Sequence, residues 1–331
     1  MDALGLLGAS GSGKSMTLRC IAGIDTPDRG EIVLNARTLF DSGEKMEVEN
    51  MLYISDETID RWIKEDVPYI DLTTLILGIG GLKGKIRFTA REFTVLSGVE
   101  EVLRIFTKLG ITQIRSLPSG SVVNKGDIFM EAEGLASRLH MAWKVSMNIL
   151  EYSSGIATRT KNMVDKAQLI NPNIAVLATR KSFPGTKELS MKAIIAGGAF
   201  PHRLGLSETI LIFKQHMTFL GDINDLTQLM KQMKANTCEK KIIVEVETID
   251  DARLLIESGV DGLQFDKIPA NDLTIIVDQI RRLNPNITLL GAGGINGGNI
   301  EEYARTGIDA VVTTSMYFGK PSDIGVTMEK Y

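Results

Sequence analysis

The spacing of apolar positions changes character along the 331-residue chain. A short apolar run, Leu4 to Leu7, leads into a glycine-rich turn and then a helix-like stretch, Met16 to Ala22. The segment from Asp41 to Asn50 is polar throughout and reads as a junction, so residues 1–50 are expected to form an appendage. Beyond it, Ser55 is placed to cap a helix in which Ile59, Trp62 and Ile63 fall on one face, ending near Glu65 and Asp66. Short apolar stretches broken by glycine fill 75–135 around a helix over Val99 to Leu109, whose Val99, Val102, Leu103, Phe106 and Leu109 make one stripe. Together they predict a small α/β layer. From Arg138 to Gln168 the pattern is helical, with an interruption expected at Ser153, Ser154 and Gly155.

From Ala175 onward strand and helix alternate. The predicted strands are Ala175–Thr179, Thr209–Phe213, Lys241–Val246, Gly262–Phe265, Thr288–Leu290 and Asp309–Val312. Helical segments at Asp250–Glu257, Asn271–Leu283 and Asn299–Arg305 separate several of them. That rhythm predicts a parallel α/β barrel, in which chemistry collects where the strands end.

Composition narrows the class. With 44% hydrophobic residues, 24% charged residues and 32 glycines, collagen-like, coiled-coil and disordered chains are excluded. The 37 basic side chains against 41 acidic ones leave a net charge of −4, so no global basic field recruits nucleic acid or an anionic membrane. Cys20 and Cys238 stand far apart and outside any CxxC pattern, which argues against a disulfide framework or a zinc site. No apolar run reaches the roughly 18 to 20 residues of a membrane helix, and a cytoplasmic protein is expected.

The chemistry-bearing residues gather at predicted strand ends: Arg180 with Lys181, Lys214, Glu247, Asp266, the Gly291 to Gly294 turn, and Thr313 with Thr314. Glu245 shares a strand face with Glu247 because side chains alternate with a period of two. His202 and Arg203 lie in the glycine-rich loop 197–205. Such a mouth suits a phosphorylated sugar carrying a Mg²⁺-bound diphosphate: glycine N–H groups for a phosphate, carboxylates for hydroxyls or metal, and cations for anionic groups. Taken singly, each feature has a plainer reading, as a solvated surface pair, a helix cap or a tight turn. His140 and His216 read as structural or surface histidines.

Several motifs occur in one order: Ser154 to Thr158 (SGIAT), Thr179 to Lys181 (TRK), Pro184-Gly185, Gly197-Gly198, His202 to Leu206 (HRLGL), Val244 to Glu247 (VEVE), Phe265-Asp266 and Gly293 to Ile295. With Glu65, Asp66, Asp71 and Thr73 upstream, this series resembles the quinolinate phosphoribosyltransferase family over about 51–331, and within it a branch associated with molybdate-transport genes. The resemblance implies an N-terminal open-faced α/β sandwich over 51–160 and an incomplete, TIM-like α/β barrel over 161–331. It further implies a homodimer in which one subunit completes the other's site. Such enzymes take phosphoribosyl pyrophosphate with Mg²⁺ and let a ring nitrogen displace pyrophosphate.

Carried over by position, Lys181, Glu247 and Asp266 would be catalytic, with Glu247 and Asp266 also holding the metal. Lys144, Arg180, His202 and Arg203 would bind substrate, and Gly293, Gly294 and Thr314 a phosphate. Three positions depart from the family pattern: Lys144 replaces an arginine, Phe213 a lysine and Thr314 a glycine. An apolar ring in place of a cation favours an acceptor other than quinolinate. The expected function is phosphoribosyl transfer to a nitrogen heterocycle, the alternatives being quinolinate itself in NAD biosynthesis or a non-catalytic oxyanion-binding accessory role.

The first segment has its own signal. Gly8, Gly13, Lys14 and Ser15 fit the phosphate-binding pattern GxxxxGK[ST], and the residues that follow resemble the start of a molybdate-type ABC-transporter ATPase. The acidic strand end, glutamine loop and signature sequence of such ATPases do not follow, so the motif is read as vestigial, with nucleotide binding as the alternative.

Overall fold

The structure is a computed structural model that describes residues 52–331, together with the strands at 31–34 and 37–41. The chain divides into two compact units, Met1–Asn50 and Met51–Tyr331. In the first, β1 (Glu31–Leu34) pairs antiparallel with β2 (Arg37–Asp41). The phosphate-binding motif, Gly8, Gly13, Lys14 and Ser15, lies outside the described residues.

The second unit opens with α1 (Asp56–Asp66), where the Ser55 hydroxyl accepts from the Thr58 N–H at 3.2 Å as its capping position predicts. A single turn, α2 (Leu72–Ile76), follows and is capped by Asp71. Four antiparallel strands then form a sheet in the order β15 (Ile324–Lys330), β3 (Lys83–Ala90), β7 (Ile128–Leu135), β5 (Thr112–Ser116), and a short antiparallel pair is made by β4 (Thr94–Val95) and β6 (Val122–Val123). Side chains in β3 alternate strictly: Ile86, Phe88 and Ala90 are buried, while Lys85, Arg87 and Thr89 are only half-buried. The buried face receives α3 (Val99–Leu109) through Val99, Val102, Ile105 and Phe106. On the other face Arg87 and Arg115 pair with Glu131, which leaves the layer open-faced.

The helical lead-in to the barrel is α4 (Ala136–Ile170), one 35-residue helix that runs through the boundary expected at 160. The interruption expected at Ser153 to Gly155 does not occur. Those small residues serve close approach instead: Ser153 donates its hydroxyl to the Ser97 carbonyl at 2.7 Å, and Ser154 accepts from the Ser97 N–H at 3.0 Å. A Cβ on Gly155 would sit 3.0 Å from the Ser322 nitrogen and 3.1 Å from the Lys320 carbonyl oxygen, so the glycine admits another stretch of backbone rather than breaking the helix. The last strand, β15, likewise leaves the barrel region and returns to pair with β3.

The barrel comprises β8 (Ala175–Ala178), β9 (Phe200–Pro201), β10 (Ile210–Ile212), β11 (Ile242–Val246), β12 (Gly262–Asp266), β13 (Thr288–Ala292) and β14 (Ala310–Thr313). These seven strands are joined in the order β10-β11-β12-β13-β14-β8-β9, with every pairing parallel. No pairing joins β9 to β10, so the barrel is incomplete. The connecting helices include α5 (Lys187–Ala196), α6 (Lys214–Leu220), α7 (Ile223–Asn236), α8 (Ile249–Ser258), α9 (Ala270–Leu283) and α10 (Ile300–Ala304). Alternate side chains face two cores. Val244, Val246, Leu263 and Phe265 face the helices, whereas Leu211, Ile243, Leu290, Ala310 and Val312 fill the barrel interior.

One buried ionic cluster joins the two layers of this unit. Lys192 of α5 is 1% exposed, and its Nζ lies 2.7 Å from Oε1 of Glu101 and 2.7 Å from Oε2 of Glu100, both on α3. Burial alone would raise the Glu100 carboxyl, but Lys192 and the Ser119 hydroxyl and N–H outweigh it and hold the group below its ordinary range. Removing only the lysine strands two carboxylates in a dry interface. Lys192→Met is therefore expected to destabilise the protein by about 3–5 kcal/mol, measured by urea unfolding at neutral pH. A loss below about 1 kcal/mol would mean that water reaches the carboxylates and the cluster does not hold the layers together.

Candidate active site

Because the strands all run the same way, their C-terminal ends share one rim, and a cavity of about 770 Å³ opens there. Strand β12 contributes Gln264 and Asp266 through its inward positions, with Lys267 in the turn beyond. Strand β11 contributes Glu245, directly across the ladder from Gln264. The β8 end supplies Thr179, Arg180 and Lys181, and the segment after β9 supplies His202 and Arg203. Gly293, Gly294 and Asn296 come from the turn after β13, and Thr314 and Ser315 from the end of β14.

Apart from Lys267 in the turn after β12, the charges lining the cavity are segregated. Arg180, Lys181 and Arg203 lie at the β8 and β9 ends, whereas Glu245 and Asp266 lie on β11 and β12. Burial raises the Glu245 carboxyl, and Asp266 adds to the rise, while the Gln264 amide, which donates to Glu245 Oε2 at 3.3 Å, opposes it. The other amide atom of Gln264, Oε1, is buried without a partner. Arg203 is itself buried; burial first and Arg180 second push its pKa down. Its guanidinium carbon stands 5.7 Å from the centre of the Phe213 ring. Phe213 is positioned in turn by His216, which stacks on it at 5.8 Å and accepts the Phe213 N–H at Nδ1, 2.9 Å away.

The side of the cavity formed after β13 is built from tight turns. Gly293 and Gly294 both have left-handed backbones, φ +82° and +75°. A Cβ on Gly293 would come within 2.5 Å of Asp266 Oδ1, so no other residue fits beside that carboxylate. The turn is fastened by Asn296 and Asn299, whose amides donate to the Gly294 carbonyl at 3.0 and 3.2 Å. Thr314 shares a hydroxyl contact of 2.9 Å with Thr179, linking the ends of β14 and β8.

Most site residues expected from the sequence converge here, but two do not line this cavity. Glu247 lies past the end of β11, where the ladder with β12 has stopped at Val246 and Phe265. It pairs instead with Lys214 at 3.1 Å on the outer rim, and both side chains are largely exposed. Glu245, one layer deeper, is the carboxylate that faces Asp266. Lys144 lies on an exposed position of α4, with its Nζ 4.3 Å from the Trp143 ring centre. Gln264 and Lys267 were not singled out from sequence, although Gln264 falls two residues before Asp266 on the same face, which is the signal that would have found it. His140 is structural, its Nδ1 lying 2.7 Å from the Ala136 carbonyl oxygen.

Two family models cover this unit: "Quinolinate phosphoribosyl transferase, N-terminal domain" over residues 71–154, and the C-terminal domain of the same family over 156–327. The chain belongs to the quinolinate phosphoribosyltransferase family. Its members are phosphoribosyltransferases, which are pentosyl-transferring enzymes. A protein of Pasteurella multocida named as the pyrophosphorylase ModD is 35% identical over 280 residues, spanning 85% of this chain and 99% of that protein. A Methanothermobacter thermautotrophicus protein named as a carboxylating nicotinate-nucleotide pyrophosphorylase is 31% identical, spanning 77% and 91%. Among solved structures, NadC from Streptococcus pyogenes superposes with a TM-score of 0.76 at 25% identity, over 83% of this chain and 96% of that one. Among the described residues no helix is long and apolar enough to cross a membrane.

For this phosphoribosyltransferase-family cavity, the histidine gives a direct test. Burial, followed by the neighbouring Arg203 charge, pulls the His202 imidazole from its ordinary 6.5 down to about 4. The folded protein therefore binds fewer protons than the unfolded chain between those values. Stability from this group is complete above pH 6.5 and is lost as pH falls toward 4, by up to about 3 kcal/mol. His202→Gln should lack that component, so that the unfolding free energies of the two proteins converge by that amount as the pH is lowered. A constant difference across the window would show that His202 is solvated.

Proposed function

We propose that the protein transfers phosphoribosyl from phosphoribosyl pyrophosphate to a nitrogen heterocycle, releasing pyrophosphate. The observation that carries this reading is the segregation within one cavity of cations at the β8 and β9 ends from Glu245, Asp266 and the Gly293–Gly294 turn. In the reaction the ring nitrogen bonds to the ribose anomeric carbon as that carbon's bond to the diphosphate oxygen breaks. Positive charge develops on the sugar, and Glu245 and Asp266 are placed to stabilise it, while Lys181 stabilises the departing diphosphate. Arg180, Arg203 and the neutral His202 hold and orient the acceptor.

Mg²⁺ fits as a companion of the substrate. Among the described residues no group of three acidic, histidine or cysteine side chains is arranged to hold a metal alone. The two cavity carboxylates with diphosphate oxygens suit an ion that keeps several waters and takes one or two protein ligands. When bound, it would neutralise charge on the leaving group. Asp266 and Glu245 are assigned to hold the ion, and Glu247 is moved to the rim.

Lys144, outside the cavity lining of its own chain, is assigned to the site of a second copy in a homodimer. The resemblance to the branch associated with molybdate-transport genes supports a role in molybdenum utilisation, in the cytoplasm.

Pyrophosphate release is the deciding assay, run with phosphoribosyl pyrophosphate, Mg²⁺ and a panel of nitrogen heterocycles. Glu245→Gln and Lys181→Ala are expected to lower kcat by about 10²–10³, and Glu247→Gln by less than about tenfold. The opposite order for the two glutamates would return the sugar carboxylate to Glu247. Phe213 generates a second expectation. A ring opposite Arg203 leaves one acceptor carboxylate without a cation, so quinolinate should be a poor acceptor and Phe213→Lys should improve its kcat/KM at least tenfold. Efficient turnover of quinolinate by the unmodified protein would sink that assignment and make this a working enzyme of NAD biosynthesis.

A further inference from the structure

The turn that ends β12 holds Lys267 at φ +60°, and among the described residues it is the one non-glycine residue with a left-handed backbone. That region crowds the Cβ against the following carbonyl, a penalty glycine escapes and asparagine bears more easily. A lysine is an expensive occupant unless its side chain is needed. The turn itself is held tightly: the Lys267 N–H donates to the Ala292 carbonyl at 2.8 Å, joining it to β13. A Cβ on Gly293 would fall 2.5 Å from Lys267 Cγ and 2.6 Å from its nitrogen, so the two turns interlock with no space between them.

The side chain leaves this turn into the cavity lining, beside Gly293 and Gly294. Its Nζ lies 3.6 Å from Asp266 Oδ2, but the lysine side chain is 80% exposed, and so exposed a pair between chain neighbours is too weak to account for a strained lysine. The charge pattern supplies a better reason. The other cations lining the cavity belong to the ends of β8 and β9. On the β12 and β13 flank, two carboxylates stand beside the glycine turn, and a phosphate seated there would face Glu245 and Asp266 with Lys267 as its cation.

We propose that Lys267 is a phosphate-binding residue, its ammonium carried by the left-handed turn to the phosphoryl group that the Gly293–Gly294 turn receives. The ligand class is a sugar phosphate monoester. This rests on the phosphoribosyl reading of the cavity. It assigns a specific task to a residue that a surface reading would leave solvated, and it explains why strain is tolerated at this turn.

The test is calorimetric titration of the full chain with ribose 5-phosphate, and separately with phosphoribosyl pyrophosphate and Mg²⁺, at two salt concentrations. Lys267→Gln keeps the backbone strain and removes the charge; Lys267→Asn removes the charge and relieves the strain; Lys267→Arg keeps the charge. Affinity for ribose 5-phosphate is expected to fall about tenfold or more in the glutamine and asparagine variants and to stay within about threefold in the arginine variant. Without ligand, Lys267→Asn should also melt a few degrees higher than the unmodified protein, a gain that a purely structural lysine would not trade against binding. Unchanged affinity in Lys267→Gln overturns the proposal and leaves the phosphoribosyl reading standing. If the unmodified protein binds neither ribose 5-phosphate nor phosphoribosyl pyrophosphate, both fall together.

Discussion

Parallel pairing in the barrel is the constraint from which the site follows. In a parallel ladder the strands enter and leave in the same sense, and inward side chains are stacked in layers fixed by register. Here Leu211 pairs with Ile243, Glu245 with Gln264, Gln264 with Leu290, and Asp266 with Ala292. An apolar layer therefore closes the barrel from below, the Glu245 and Gln264 layer lies above it, and Asp266 stands at the top. A slip of one residue in β11 would send Glu245 into the helix-facing core and bring Val244 or Val246 to the cavity. The chemistry depends on that register before it depends on any single side chain.

The same layering settles how the charges are used. Glu245 is deep enough for burial to raise its carboxyl, while Glu247, two residues on, sits where no strand flanks it and finds a surface lysine. Depth also disarms the histidine: His202 is neutral at physiological pH because burial and the Arg203 charge both disfavour the imidazolium. The positive charge on the β8 and β9 side of the cavity is thus carried by arginine and lysine, with His202 as a neutral hydrogen-bonding group. An arriving anion would favour its protonation and so take up a proton, which makes that side's charge responsive to what it binds.

Much of this was legible in the sequence, for physical reasons that differ from element to element. Strands β11 to β14 are short, mostly apolar segments set between polar or charged residues, so their limits could be read to within two residues, even where Glu245 and Gln264 interrupt the apolar run. The α3 stripe was equally clear, because Gly98 and Gly110 bound it with left-handed turns. Small residues misled at Ser153 to Gly155, where local propensity predicts a break but packing against Ser97 and 320–322 preserves the helix. The pairing of β15 with β3, more than 200 residues away, leaves no local trace. Glu245 and Glu247 share a strand face, and only the end of the ladder distinguishes them. Lys267 gave no signal at all, since a lysine beside an aspartate is unremarkable until its backbone is seen.

Phe213 is where the site's electrostatics and its specificity meet. At the end of β10 it lies across from the buried Arg203, and the guanidinium over its ring keeps a favourable partner that desolvates with it. A lysine at this place would add a further charge beside Arg203 and Arg180, where burial first and the Arg180 charge second already push the Arg203 pKa down. That arrangement is stable only when a dianion arrives to balance it. With phenylalanine the empty cavity is less strained electrostatically, and the stacked His216 holds the ring as a flat wall. Such a wall rewards a planar acceptor through dispersion and gives nothing to a second carboxylate, which would lose its hydration without gaining a partner. Under the proposed function, affinity would shift from charge pairing to shape, and the acceptor best matched to the cavity would be an aromatic ring with no more than one anionic group.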